Sequence, residues 1–177
     1  ASNNTAIGEL SLAANTTGAT NVAVGRIALN ANTTADNNTA VGYGSLAANT
    51  TGTQNVAVGA AALDALTDAD NNVALGYLSL SADTLGSRSV AVGSHALTAQ
   101  NFTSATDTYN TAVGFFAGLA VTTGIQNTLI GGLAGDAITT GSYNTAVGGK
   151  SLSGATTGAQ NFAGGYQALE STSTGSY

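Results

Sequence analysis

Asn38-Thr39-Ala40-Val41-Gly42 is the stretch on which the reading of this chain turns. Variants of it end at Gly8, Gly25, Gly42, Gly59, Gly76, Gly93, Gly114, Gly131, Gly148 and Gly165. Neighbouring motif glycines are 17 residues apart, except that Gly93 and Gly114 are 21 apart. The chain is therefore one array, residues 1–177, of ten 17-residue units with a four-residue insertion inside 98–109. A fixed period of this kind is the signature of a solenoid and outranks any local reading.

Positions are counted from the motif Gly. Position −4 is Asn in nine units of ten, with Ser89 the exception; position −2 is Ala except at Leu129. Position −1 is Val, Ile or Leu except at Gly164, and position +4 is Leu except at Gly118 and Gly135. The residues ending at the Gly are short and β-branched, with side chains that differ in kind from one to the next, which predicts a strand. A second short strand is expected around Ser45-Leu46-Ala47, with turns at Gly42 and at Asn49-Thr50-Thr51-Gly52. Recurrent Gly and Thr-Thr-Gly break any helix. One unit is then one coil of an all-β solenoid, a parallel β-roll with two short strands per coil. Ten coils at about 4.8 Å each span roughly 48 Å.

Equivalent residues should stack. Val41 is expected between Val24 and Val58, and Leu46 between Leu29 and Leu63, as the two core ladders. In the tenth unit Phe162 replaces the usual Thr or Val while Gly164 replaces Val. That exchange of volume on one strand face suggests a packed interior there. The opposite face carries Ala6, Ala23, Ala40, Ala57, Ala74, Ala91, Ala112, Ala146 and Ala163. A solvent-facing position would tolerate Lys or Glu, so this Ala ladder is expected at a chain–chain contact that closes a homo-oligomer.

The repeat resembles the head repeats of trimeric autotransporter adhesins, whose motif reads NSVAIG with a small residue a few positions later. It is more similar still to the NTAVGxxAL…NTTG arrays of bacteriophage tail-fibre proteins. The resemblance covers all ten units. It implies a left-handed parallel β-roll, a homotrimer about a threefold axis, a location outside the cell or on the virion surface, and a role in attachment to a cell-surface glycan or receptor. The coil here is longer than the adhesin head's.

Composition narrows the function classes. Charged residues are 7% and hydrophobic residues 43%, so an ordered chain is expected. Three Lys+Arg and a net charge of −6 argue against nucleic acid or an anionic membrane as partner. No apolar run reaches the roughly 20 residues that span a bilayer, so this segment is not expected to insert. Cys is absent, which removes disulfides and thiolate metal sites. Thr174-Gly175-Ser176-Tyr177 repeats Thr140-Gly141-Ser142-Tyr143, so the chain reads as a segment of a longer array, with Asn expected next.

The residues do not compose a catalytic site, and neither a cofactor nor a metal is expected. His95 is the one histidine and sits at a variable position. Asp68 and Asp70 could share a Ca²⁺, but nearby units lack the pair; the Asp residues read as turn formers. Asn15-Thr16-Thr17 and Asn49-Thr50-Thr51 are sequons that read as turns. An ice-binding or purely structural filament is the alternative function, because paired Thr recur. Adjacent residues point to opposite faces, however, and Asp68 and Leu85 interrupt one column.

Surface-binding candidates are Tyr43, Tyr77, Phe115 and Tyr166, which follow the motif Gly, together with Phe102 and Asp107 of the insertion. The aromatics either cover coil edges or stack on sugar rings. The insertion is expected to bulge outward at a turn, since an added strand residue would flip the core face. Phe102 is expected to tuck against the coil as its anchor.

Overall fold

The computed structural model describes residues 1–171 and residue 175. Of the terminal Thr174-Gly175-Ser176-Tyr177 stretch, only Gly175 is among them. The described residues contain no helix and form a β-solenoid. Its strands are β1 (Thr5–Ile7), β2 (Val22–Val24), β3 (Thr39–Val41), β4 (Val56–Val58), β5 (Val73–Leu75), β6 (Gly86–Ser87), β7 (Val90–Val92), β8 (Thr106–Asp107), β9 (Thr111–Val113), β10 (Thr128–Ile130), β11 (Thr145–Val147) and β12 (Phe162–Gly164). Ten of them make one parallel sheet in the order β1-β2-β3-β4-β5-β7-β9-β10-β11-β12, and β6 pairs with β8 in a small second sheet. Register is strict: Ala40 lies against Ala23 on one side and Ala57 on the other.

The coil has one main strand, not two. Around Ser45-Leu46-Ala47 the backbone is not extended, because left-handed residues recur at positions +2 and +4, as at Ile27 (φ 55°), Leu29 (φ 48°) and Leu46 (φ 49°). A non-Gly residue there costs roughly 1–2 kcal/mol. Leu29, Leu46, Leu63, Leu80, Leu97 and Leu152 are fully buried, which stabilises by about 1.5–3 kcal/mol each and offsets that strain. The segment still stacks through backbone bonds to its neighbours, such as Leu29 N–H to Ser45 O (3.0 Å) and Ala31 N–H to Ala47 O (3.1 Å). At Gly42 (φ 134°) a Cβ would come within 2.6 Å of the Gly59 carbonyl oxygen, so conformation and close stacking both require Gly.

The Leu ladder is where the repeat predicts it. The strand faces are reversed. Ala23, Ala40, Ala57, Ala74, Ala91, Ala112, Ala146 and Ala163 point into the coil and are buried, while Val24, Val41 and Val58 lie on the outer face. The coil is thin, and opposite a Leu there is room only for a small side chain. Leu129 proves the geometry. Its side chain occupies the space that a Cβ on Gly118 or Gly135 would need, at 2.8 and 2.7 Å. Phe162 and Gly164 also compensate each other, but outside the core: Phe162 is 74% exposed, and its ring carbon lies 3.4 Å from where a Gly164 Cβ would stand.

Polar ladders close the coil. Asn21 Nδ2 donates to Ala35 O (2.8 Å), while its Oδ1 accepts the Asn38 N–H (2.9 Å), and the pattern repeats from coil to coil. A second ladder runs through Asn15, Asn32 and Asn49 at position +7. It stops at Leu66, which leaves Asn49 Oδ1 buried without a partner. Buried amides with both ends bonded explain why Asn recurs at position −4.

Candidate interaction surfaces

Three surfaces follow from this cross-section. The first is the outer face of the ten-strand sheet. It carries positions −3 and −1, such as Val56 and Val58, Val73 and Leu75, and Thr128 and Ile130. None of these twenty residues is charged. The Ala ladder expected at a chain–chain contact is not on this face. Ala23, Ala40, Ala57, Ala74, Ala91, Ala112, Ala146 and Ala163 are interior, and Ala6, exposed in the first coil, shares their register. An interior methyl cannot reach a partner, so that assignment is corrected.

The second is an aromatic corner one or two residues past the motif Gly. Tyr43, Tyr77, Phe115 and Tyr166 are all more than half exposed. Arg26 lies 5.8 Å from the Tyr43 ring centroid and is ion-paired to Glu9 (2.8 Å). Tyr77, His95 and Phe116 meet edge to face at 5.3 and 5.0 Å, with Phe115 packed on Phe116 at 4.0 Å. His95 Nδ1 is 2.9 Å from Ser94 Oγ. Edge-to-face packing is the favoured aromatic geometry and accounts for His95 as part of a surface cluster.

The third is the polar edge, positions +8 to +12. The inner Thr of each pair bonds to the next coil: Thr33 Oγ1 donates to Thr50 O (3.1 Å) and Thr50 Oγ1 to Thr67 O (3.1 Å). The outer Thr column (Thr17, Thr34, Thr51) is exposed but passes through Asp68 and Leu85. Position +12, which the insertion moves to +16 in the coil after Gly93, is Thr20, Asn37, Gln54, Asn71, Arg88, Tyr109, Gln126, Tyr143 and Gln160, every one left-handed and every one exposed.

The insertion falls on this same edge. Its tip, Thr103 to Ala105, is exposed, while Phe102 is only 7% exposed, so Phe102 is an anchor and not a surface contact. Thr106 and Asp107 pair with Gly86 and Ser87. Asp107 accepts from Arg88 Nη1 (2.7 Å), which also reaches the Tyr109 hydroxyl (2.7 Å). Beneath lies a buried network that replaces the Asn missing at Ser89. Asp83 Oδ1 accepts from Gly86 N–H (3.0 Å) and Phe102 N–H (3.1 Å). Gln100 Nε2 donates to Asp83 Oδ2 (2.6 Å) and Ser89 Oγ (2.8 Å), and Gln100 Oε1 accepts from Asn110 Nδ2 (2.8 Å). Ser89 and Thr108 share a short hydroxyl contact. Burial pushes the Asp83 carboxyl above the usual carboxylate range, against the pull of these hydrogen bonds.

Sequence reasoning missed the outer apolar columns, the +12 column as a set, and the Asp83–Gln100 network. The last had a signal: Ser89, the one break in the Asn series, stands six residues after Asp83 and belongs to the motif that directly precedes the insertion. Among the described residues no cluster of three or more His, Cys, Asp or Glu is placed to hold a metal ion. No family model, curated protein or solved structure matches this chain.

Proposed function

We propose that this array is a segment of a non-enzymatic attachment fibre outside the cell or on a virion, built as a parallel homotrimer through the outer face of the sheet. The observation that carries the reading is an uncharged face of Val, Thr, Ile and Leu, ending in Phe162 and Gly164, running the length of the sheet. Large exposed apolar patches mark interaction sites. Three residues of about 3.3 Å across ten strands at about 4.8 Å give roughly 450 Å². A standard interface buries about 800 Å² per partner. The sheet face alone falls short, and the aromatic corner beside it supplies further area. Each chain of a trimer meets two neighbours, one on each side of such a face. The resemblance of the repeat to tail-fibre and adhesin arrays supports the number three and the attachment role.

Native mass measurement at micromolar concentration tests it. The wild-type chain is expected at three times its monomer mass. Val58→Lys with Val92→Lys, both outward, is expected to leave the coil folded and the chain monomeric. A stable wild-type monomer overturns the reading.

A further inference from the structure

We propose that the polar edge is a binding track for an uncharged polysaccharide chain lying along the rod, centred on Tyr109, Gln126 and Tyr143. The inference rests on the attachment reading and deepens it by naming the partner's chemistry.

The argument begins with a residue choice that the backbone does not explain. Gln54, Asn71, Arg88, Tyr109, Gln126 and Tyr143 have φ of 59°, 61°, 65°, 51°, 57° and 62°. Glycine suits such a backbone best, and Asn tolerates it; Gln, Arg and Tyr have no intrinsic preference for it. No coil uses Gly at this position. At position +4 the same strain is offset because Leu fills the core. At position +12 the side chains are exposed. Those of Gln54, Asn71, Gln126 and Tyr143 form no hydrogen bond with the described residues. What distinguishes these residues from Gly is the group each holds out to solvent.

Those groups share a chemistry. Amides pair a donor with an acceptor, as does the tyrosine hydroxyl. That matches sugar hydroxyls, which also donate and accept. An anionic polymer would call for unpaired cations, but Arg88 is held by Asp107 and the chain carries −6 overall. Tyr109 and Tyr143 are about half exposed; Arg88 lies over the Tyr109 ring at 5.7 Å from its centroid, so the exposed ring surface of Tyr143, and what Arg88 leaves open of Tyr109, is offered to the apolar side of a sugar ring. Gln126 stands between them, so the sequence is ring, amide, ring over three coils spaced about 4.8 Å apart. A repeating display suits a repeating ligand.

The insertion supplies an independent observation. The array's one departure from its period lies on this edge, next to Arg88 and Tyr109, with Asp107 bonded into the column. Insertions in repeat proteins map to loops on one face, often the binding face.

The test is native affinity electrophoresis of the full 177-residue chain through gels containing dextran, galactomannan, mixed-linkage β-glucan or, as a charged comparator, polygalacturonate. At least one uncharged polymer is expected to retard the wild type. The triple variant Tyr109→Gly, Gln126→Gly, Tyr143→Gly is expected to bind at least tenfold more weakly. Glycine is the residue this backbone prefers, which offsets the exposed Arg88–Tyr109 contact that the variant loses, so the variant should keep the circular dichroism of the wild type and melt close to it, and lost binding then reports the side chains. Native mass of the same samples separates the two readings. A trimer that no neutral polymer retards, or whose retardation survives the triple variant, overturns the binding track alone. Retardation by polygalacturonate only overturns it as well. A monomer that is retarded overturns the assembly and leaves the track standing.

Discussion

At the scale of single residues, neighbours one position apart have opposite jobs. Ala57 is interior and Val58 is outward. Ala57→Lys is expected to unfold the coil, because the charge would be buried without a partner, whereas Val58→Lys keeps the circular dichroism of the wild type. Equal loss of structure in both variants would refute the face assignment. Leu129→Ala is expected to cost about 2–5 kcal/mol in denaturant unfolding, toward the upper end because Gly118 and Gly135 offer no side chain to refill the space. The Leu ladder was legible in the sequence because Leu at +4 is both frequent and apolar. The strand face was not, because hydrophobicity ranks Val above Ala for a core, while the thin coil selects by size. The deciding clue was in the sequence all the same: Leu129, the one exception in the Ala column, stands between the two exceptions in the Leu column.

At the scale of the element, the coil that carries the insertion is held differently from the rest. Elsewhere an Asn at −4 ties each coil to the next; here Asp83, Gln100, Ser89, Thr108 and Asn110 share that work. Asp83→Ala would leave the Gly86 and Phe102 N–H groups and one of the two Gln100 Nε2 N–H groups buried and unpaired, at about 1–3 kcal/mol each. The expected result is a lower melting temperature and new protease cleavage within 101–107. The outward bulge at a turn was readable from the period, since a motif that resumes in phase must shed its extra residues sideways. The buried root was not readable, because it depends on side chains from two coils meeting inside.

At the scale of the whole molecule, the charge balance has a consequence for pH. Burial raises the carboxyls of Asp64, Asp83 and Asp136 above their ordinary value. The folded chain therefore holds those protons more tightly than the unfolded chain does. Folding takes up protons between the ordinary carboxylate value of about 3.9 and each raised one, so stability grows as pH falls from neutral through that window. Lower net negative charge acts in the same direction. The melting temperature is expected to be higher at pH 5 than at pH 7; a drop over that interval would contradict it.

The backbone bonds between coils all run along the rod, as from Val22 N–H to Asn38 O and from Gly25 N–H to Ile7 O. Tension applied along that axis pulls each bond lengthwise, so coils peel away one after another at modest force and do not resist together in shear. Each coil that lets go frees 17 residues, or about 60 Å of extended chain. Under a tug the filament would lengthen in steps of one repeat, with one longer step where the insertion lies, behaving as a shock absorber whose stroke is set by the repeat.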